Sequence, residues 1–203
     1  CLSLGLLISG LVILNNEYFH WVMMPKLQLN TFFLGFSFPV SLITMALMFS
    51  FMIDKDRLDR LLKNLGFWIV NLGVIIFFLF IIFEWLMPQV AVTLILAAAV
   101  VMIFYLFVTL GQRIQQKTFL VSGMGFLLYT AVTGIIYIFY EMLPDYSPEK
   151  YHWLLRAHSF ASLYGWNLCG LAIICRYHDF PLRLHSRYII YLHWVTVIFL
   201  APL

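Results

Sequence analysis

Charge is what this chain has least of. Only 10% of its 203 residues are Asp, Glu, Lys or Arg, where a soluble domain carries about 25%. That scarcity excludes a soluble globular domain, a disordered chain and a coiled coil. A net charge of +3 is also too small to make nucleic acid an expected partner. Cysteine is scarce too, at 3 residues. Cys169 and Cys175 stand six apart in an apolar stretch, which is not a CxxC spacing, and they read as buried, inert thiols. Cys1 opens the chain inside an apolar run. A lipoprotein cysteine exposed by signal cleavage is the alternative there, but no signal region is visible. Both ends fall inside apolar runs, so the chain reads as part of something longer. Also missing are a phosphate-binding loop, catalytic-triad spacing, a metal cluster and a carboxylate deep in an apolar run. A plain soluble-enzyme reading therefore has no support.

What is present is apolar sequence: 64% of the residues, with a mean hydropathy of +0.96. About 20 apolar residues cross a bilayer once as a helix. The runs fall at 1–14 (a partial span), 30–53, 66–86, 90–110, 118–140, 153–175 and 186–203. They are too long and too continuously apolar for barrel strands. The expectation is an all-α, polytopic integral membrane bundle of six to seven transmembrane helices, forming one domain over 1–203. Its partners would be the lipid bilayer and other membrane subunits.

Charge placement orients this bundle. Alternate loops hold Lys55, Arg57, Arg60 and Lys63, then Arg113 and Lys117, then Arg176, Arg183 and Arg187. The opposite side has Lys26, Lys150 and Arg156. The positive-inside rule puts the first group in the cytoplasm, in a bacterial inner membrane or an equivalent energy-transducing one. The loops with Glu17 and His20, with Glu84, and with Glu141 to Lys150 then face outward.

Two spans resemble each other. The second contains Gly35–Phe36 and the sixth Gly165–Trp166, 130 residues apart; the aromatic pairs Phe67–Trp68 and His193–Trp194 follow, 126 apart. Four spans fit in that interval, which suggests a four-helix repeat. An even number of spans keeps the copies parallel and argues against an inverted-repeat transporter.

Ionisable groups at membrane depth are functional candidates by default. Most here lie at span edges, where an interfacial role is the simpler reading: Glu84 beside Trp85, the belt of Tyr146, Tyr151, His152 and Trp153, and His20 with Glu17 and Trp21. His158 and His193 lie within spans. A lone histidine there is more often hydrogen-bonded to a neighbour than a ligand, yet neutral imidazole is the usual protein ligand of haem iron and copper. Asn71, Asn167, Thr130 and Thr133 read as interhelical hydrogen-bond partners. Pro39, with Ser37, Ser41 and Thr44, is the best place for a broken transporter helix.

The segment from Arg156 to Gly170, RAHSFASLYGWNLCG, resembles a helix of haem–copper oxidase subunit I, in the C-type oxidase and nitric-oxide-reductase branch. In that pattern a histidine enters from the outer face and a glycine follows two turns later. A basic loop comes next, and then a helix opening on a His–Trp pair like His193–Trp194. The resemblance implies a subunit of a respiratory or other electron-transfer assembly. It makes His158 the haem ligand and metal-binding residue, Arg156 a cation for haem propionates, and His20 or His152 a second axial ligand; His193 joins the cofactor residues. One haem is implied and copper is not. The second span carries Gln28, Asn30 and Thr31 where the family has a haem-ligating histidine, so one redox centre is lost. The alternatives are a cofactor-free structural membrane subunit and a small transporter.

Overall fold

The computed structural model describes residues 2–23, 33–147, 149–178, 180 and 183–200. Cys1, Pro25, Lys26 and the polar positions Gln28, Asn30 and Thr31 lie outside them. The described residues are all-helical; the nearest approach to sheet is one isolated backbone pair, Met52 with Gly111. The order is α1 (Leu2–Leu14), π1 (Asn15–Phe19), π2 (Phe33–Ser37), α2 (Phe38–Ser50), α3 (Arg57–Ile82), α4 (Leu86–Leu110), α5 (Gln115–Glu141), α6 (His152–Phe160), π3 (Ala161–Asn167), α7 (Leu168–Cys175), α8 (Arg187–Val195) and π4 (Thr196–Leu200). The π segments are single wide turns spliced between or onto α-helices, a form often found at functional sites.

Among the described residues three helices, α3, α4 and α5, are long and apolar enough to cross a membrane. At about 1.5 Å per residue their 26, 25 and 27 residues extend about 37–41 Å, beyond a hydrocarbon core of about 30 Å. The extra length of α3 sits at its start. The loop expected at 54–64 ends at Asp56, so Arg57, Arg60 and Lys63 are helical. Local chemistry explains the early start. Asp56 caps the helix by accepting from the Asp59 amide at 2.8 Å, and Asp59 accepts in return from the Lys55 amide at 3.0 Å. This near-reciprocal arrangement satisfies amide groups that the helix leaves open. Asp54 then takes Lys63 at 2.5 Å and Arg60 at 3.5 Å.

The α3–α4 connection is a Schellman turn. The Trp85 amide donates to the Phe80 carbonyl and the Glu84 amide to Ile81, at 3.0 and 3.2 Å. The Phe80 and Trp85 rings stack across the turn at 5.9 Å. This motif puts its penultimate residue in left-handed backbone, normally as glycine. Here that residue is Glu84, at φ 59°.

Packing closes the helices into a ring. Helix α4 lies between α3 and α5; α5 carries α6, π3 and α7; α7 packs on α2; and α2 meets α3 only lightly. At one end the basic loops converge. Ile53 donates to the Leu110 carbonyl, Gln112 to Phe51 and the Gln116 side chain to Tyr177, while Phe51 stacks on Tyr177 at 5.4 Å. At the other end Tyr137 and Tyr146 share a 2.7 Å hydroxyl bond, and Tyr140 stacks on Tyr151 at 4.3 Å. The solid core lies toward the basic end, where Met48, Ile103, Phe107, Leu120, Met124 and Ile173 have essentially no accessible surface. Outside the ring α3 shows Trp68, Leu72, Ile76 and Leu79 as an apolar stripe, the face a bilayer would cover. Cys169 is buried as expected, but Cys175 is exposed, because the last turn of α7 emerges from the core.

Two outcomes test these local devices. Glu84→Gly removes the side chain from left-handed backbone and is expected to stabilise the protein by about 1 kcal/mol, read as a raised thermal midpoint in detergent. Lys63, first by its hydrogen bond, holds the Asp54 carboxyl below its ordinary value, with Arg60 adding to the effect. A carboxyl lowered in the folded state stabilises the protein above its unfolded pKa, and that contribution fades as pH falls through the folded value. The gap in thermal midpoint between wild type and Asp54→Asn is therefore expected at pH 7 and is expected to shrink as the pH falls below the ordinary carboxylate range.

Candidate functional site

Away from the basic end, the ring does not fill its centre. A cavity of about 220 Å³ remains, walled by the start of α2, the later turns of α3, the start of α4, the second half of α5, and α6 with π3. Its wall is mostly apolar, with Phe38, Phe77, Phe78, Leu96 and Trp166 prominent. Its polar groups are Ser37, Ser41, Thr93, Thr130, His158 and Ser162. No Asp, Glu, Lys or Arg lines it.

His158 is the one titratable group on this wall. Its position depends on α5. Gly134 lies flat against the ring: a Cβ there would stand 3.0 Å from His158 Cε1 and 3.3 Å from Nδ1. The Thr133 hydroxyl lies 3.3 Å from Nδ1, with the Thr130 carbonyl a further partner of the ring. That hydroxyl already spends its proton within α5, on the Tyr129 and Thr130 carbonyls at 2.9 and 3.1 Å. It can therefore only accept from the ring, which assigns the proton of neutral His158 to Nδ1. On that assignment Nε2 carries the lone pair. Backing of one ring nitrogen by a hydroxyl or carbonyl is how proteins orient a histidine whose other nitrogen does the work.

A buried polar lattice fixes the wall behind it. Asn167, 1% exposed, donates to Ser37 Oγ at 2.6 Å and to the Ser162 carbonyl at 3.1 Å, and accepts from Ser41 Oγ at 2.9 Å. Trp166 Nε1 donates to the same Ser41 oxygen at 2.9 Å. The two resembling spans are thus bonded to one another, and the Ser37–Asn167 pair is separated by the same 130 residues as the Gly35–Gly165 pair. Moved by 130, π2 falls on residues 163–167, the last five of π3. Close approach makes these bonds geometrically possible: a Cβ on Gly170 would overlap the Thr44 side chain, and one on Gly165 would overlap the Phe126 ring. Pro39 does not break its helix, since π2 runs straight into α2 with Pro39 in the first turn.

The other candidate residues are elsewhere. Arg156 is exposed on α6; two residues from His158 is about 200° around the helix, the far side from the cavity. His152 is exposed at the first turn of α6. His20 caps π1 in left-handed backbone and donates its amide to the Asn15 carbonyl at 2.7 Å. Asn15 also clamps Val22 through both side-chain atoms, so His20 belongs to a turn. His193 lies against Phe126 and Phe119, with Nε2 2.7 Å from the Tyr164 carbonyl and Nδ1 4.0 Å from Cys169 Sγ. It ties α8 to π3. Trp194 completes that docking by stacking on Phe126 at 4.0 Å and donating to Ser122 Oγ. No group of three metal-binding side chains exists among the described residues.

These positions decide how a haem would fare. His158 offers a correctly oriented donor nitrogen. The cavity, at about 220 Å³, is below the range of about 300–1,000 Å³ usual for drug-sized ligands. Neither a second histidine nor Arg156 lines it, so its wall offers a haem one axial ligand and no cation for the propionates. Compared with protein families, with characterised proteins and with solved structures, the chain matches none.

Sequence reasoning singled out His158 and weighed Asn167, Thr130 and Thr133 as ordinary helix contacts. It passed over Ser162 as a wall residue; the signal that pointed to this wall was the 130-residue match between two spans. The lattice makes a quantitative expectation. Asn167→Ala strands the Ser37 and Ser41 hydroxyls and the Ser162 carbonyl, and is expected to cost about 1–3 kcal/mol. Asn71, whose Oδ1 is buried without a partner, is the contrast: Asn71→Leu is expected to cost little. Thermal midpoints of both variants in the same detergent check the difference.

Proposed function

We propose that this chain is an integral membrane subunit of the haem–copper oxidase subunit I kind, serving an electron-transfer assembly and carrying no haem in its own cavity. The observation that carries the reading is His158. It stands on the span whose sequence resembles the family's ligand helix, with its ring held by Thr133 and Gly134 from α5, on a cavity that neither a second histidine nor Arg156 lines. The matched π turns of the second and sixth spans support a four-helix repeat of the kind that family uses. Six to seven crossings, with the basic end in the cytoplasm, complete the proposed topology, in a bacterial inner membrane or its equivalent. The cofactor centres then belong to neighbouring chains, and this subunit contributes helix packing and a lipid-facing surface. The transporter reading gains nothing, because the polar residues near Pro39 are tied into a closed lattice and form no path.

Isolation of the chain alone and within its assembly tests this. A pyridine haemochrome assay is expected to find no stoichiometric haem on the isolated chain. The reduced-minus-oxidised spectrum of the assembly is expected to be the same in His158→Ala. One haem per chain, lost in His158→Ala, would overturn the haem-free reading. A folded chain that associates with no haem-bearing partner would overturn the electron-transfer reading.

A further inference from the structure

The cavity has a chemistry of its own that the subunit reading does not use. Its size comes first. At about 220 Å³ it exceeds the roughly 150 Å³ cavity that holds benzene in an engineered protein core, so one six-membered ring fits. Its walls come second. Phe38, Phe77, Phe78 and Trp166 face it, and aromatic rings favour another ring set edge-on or offset against them. No charged side chain lines it, which excludes carboxylates, phosphates and amines, since an unpaired ion there would lose its hydration with nothing in return.

Hydrogen bonding narrows the class further. Trp166 Nε1 is committed to Ser41, Ser41 to Asn167, and the Thr130 hydroxyl to the Phe126 carbonyl at 2.9 Å. Left to meet a ligand are His158 and the hydroxyls of Ser162 and Ser37, the latter only accepting from Asn167. With Nδ1 facing Thr133, His158 Nε2 can accept a proton and the serines can donate one, so a ligand hydroxyl that both donates and accepts matches this wall. We propose that the His158 cavity binds a membrane-soluble, single-ring phenol, with its hydroxyl donating to Nε2 and its ring among Phe77, Phe78 and Trp166. The light packing of α2 on α3 places the weakest part of the wall beside the cavity, the side from which a ligand dissolved in the bilayer would arrive. This assignment stands whether or not the chain serves an electron-transfer assembly. Only haem bound at His158 would exclude it, and the haemochrome assay detects that separately.

The test uses 4-fluorophenol and fluorobenzene as probes, followed by fluorine NMR on the protein in lipid nanodiscs, with empty nanodiscs subtracting partition into lipid. Both are expected to bind saturably, 4-fluorophenol about ten-fold more tightly, the difference one hydrogen bond makes. In His158→Leu that preference is expected to vanish while fluorobenzene still binds, which also reports that the variant keeps its cavity. Ala97→Phe, which fills the space from α4 and leaves His158 in place, is expected to abolish both. Equal affinities in the wild type, no saturable binding, or a preference that survives His158→Leu would each overturn the proposal. Should His158→Leu fail to fold, the wild-type preference and Ala97→Phe decide it.

Discussion

The close approach of two helical segments distant in sequence governs this structure. Around Thr44 and Gly170 the second and sixth spans come together until no Cβ would fit between them, and Asn167 bonds both Ser37 and Ser41 across that contact. In lipid the hydrophobic effect does little to bring helices together, since acyl chains are as apolar as leucine. Tight packing at small residues and interhelical hydrogen bonds take its place. Once this pair is fixed, α5 is held by Phe126 over Gly165 and by Gly123 against Cys169. Helix α8 is held in turn by Trp194 on Phe126.

The same contact explains where the protein is solid and where it is hollow. Toward the basic end, Met45, Met48 and Met52 of the second span and its following turn meet Ile103, Phe107, Leu120 and Met124, long side chains that fill irregular gaps. Toward the other end the wall of α2 turns to serine, the π turns widen the backbone, and α3 stands back. Space is left there, and one imidazole faces it. The wide turns and the space belong together: a π turn gives up regular packing and frees backbone carbonyls. In π3 the Tyr164 carbonyl finds His193.

His193 shows why a residue's type and span do not settle its role. It stands in an apolar run and forms a His–Trp pair, the same features that make a ligand. In the fold it closes a gap in the backbone hydrogen bonding of a neighbouring segment. His158 has no more distinctive a sequence, but the fold sets it on the cavity wall with Nδ1 against the Thr133 hydroxyl. Arg156, two residues away, is on the opposite face of the same helix for no reason except helical geometry.

Apolar composition and run length were enough to establish an all-helical, membrane-type chain, because satisfying the backbone within lipid leaves a continuous apolar run little choice but helix. The recurrence at 130 residues was also legible, as was the clustering of basic residues in alternate loops. That α3 begins at Arg57, ahead of the apolar run at 66–86, follows from capping by Asp56, a local effect that apolar run length does not report. Which histidine lines a cavity, and how large that cavity is, were decided only in three dimensions. Both depend on the angle and distance between separate helices, and those are set by close contacts at Gly134, Gly165 and Gly170.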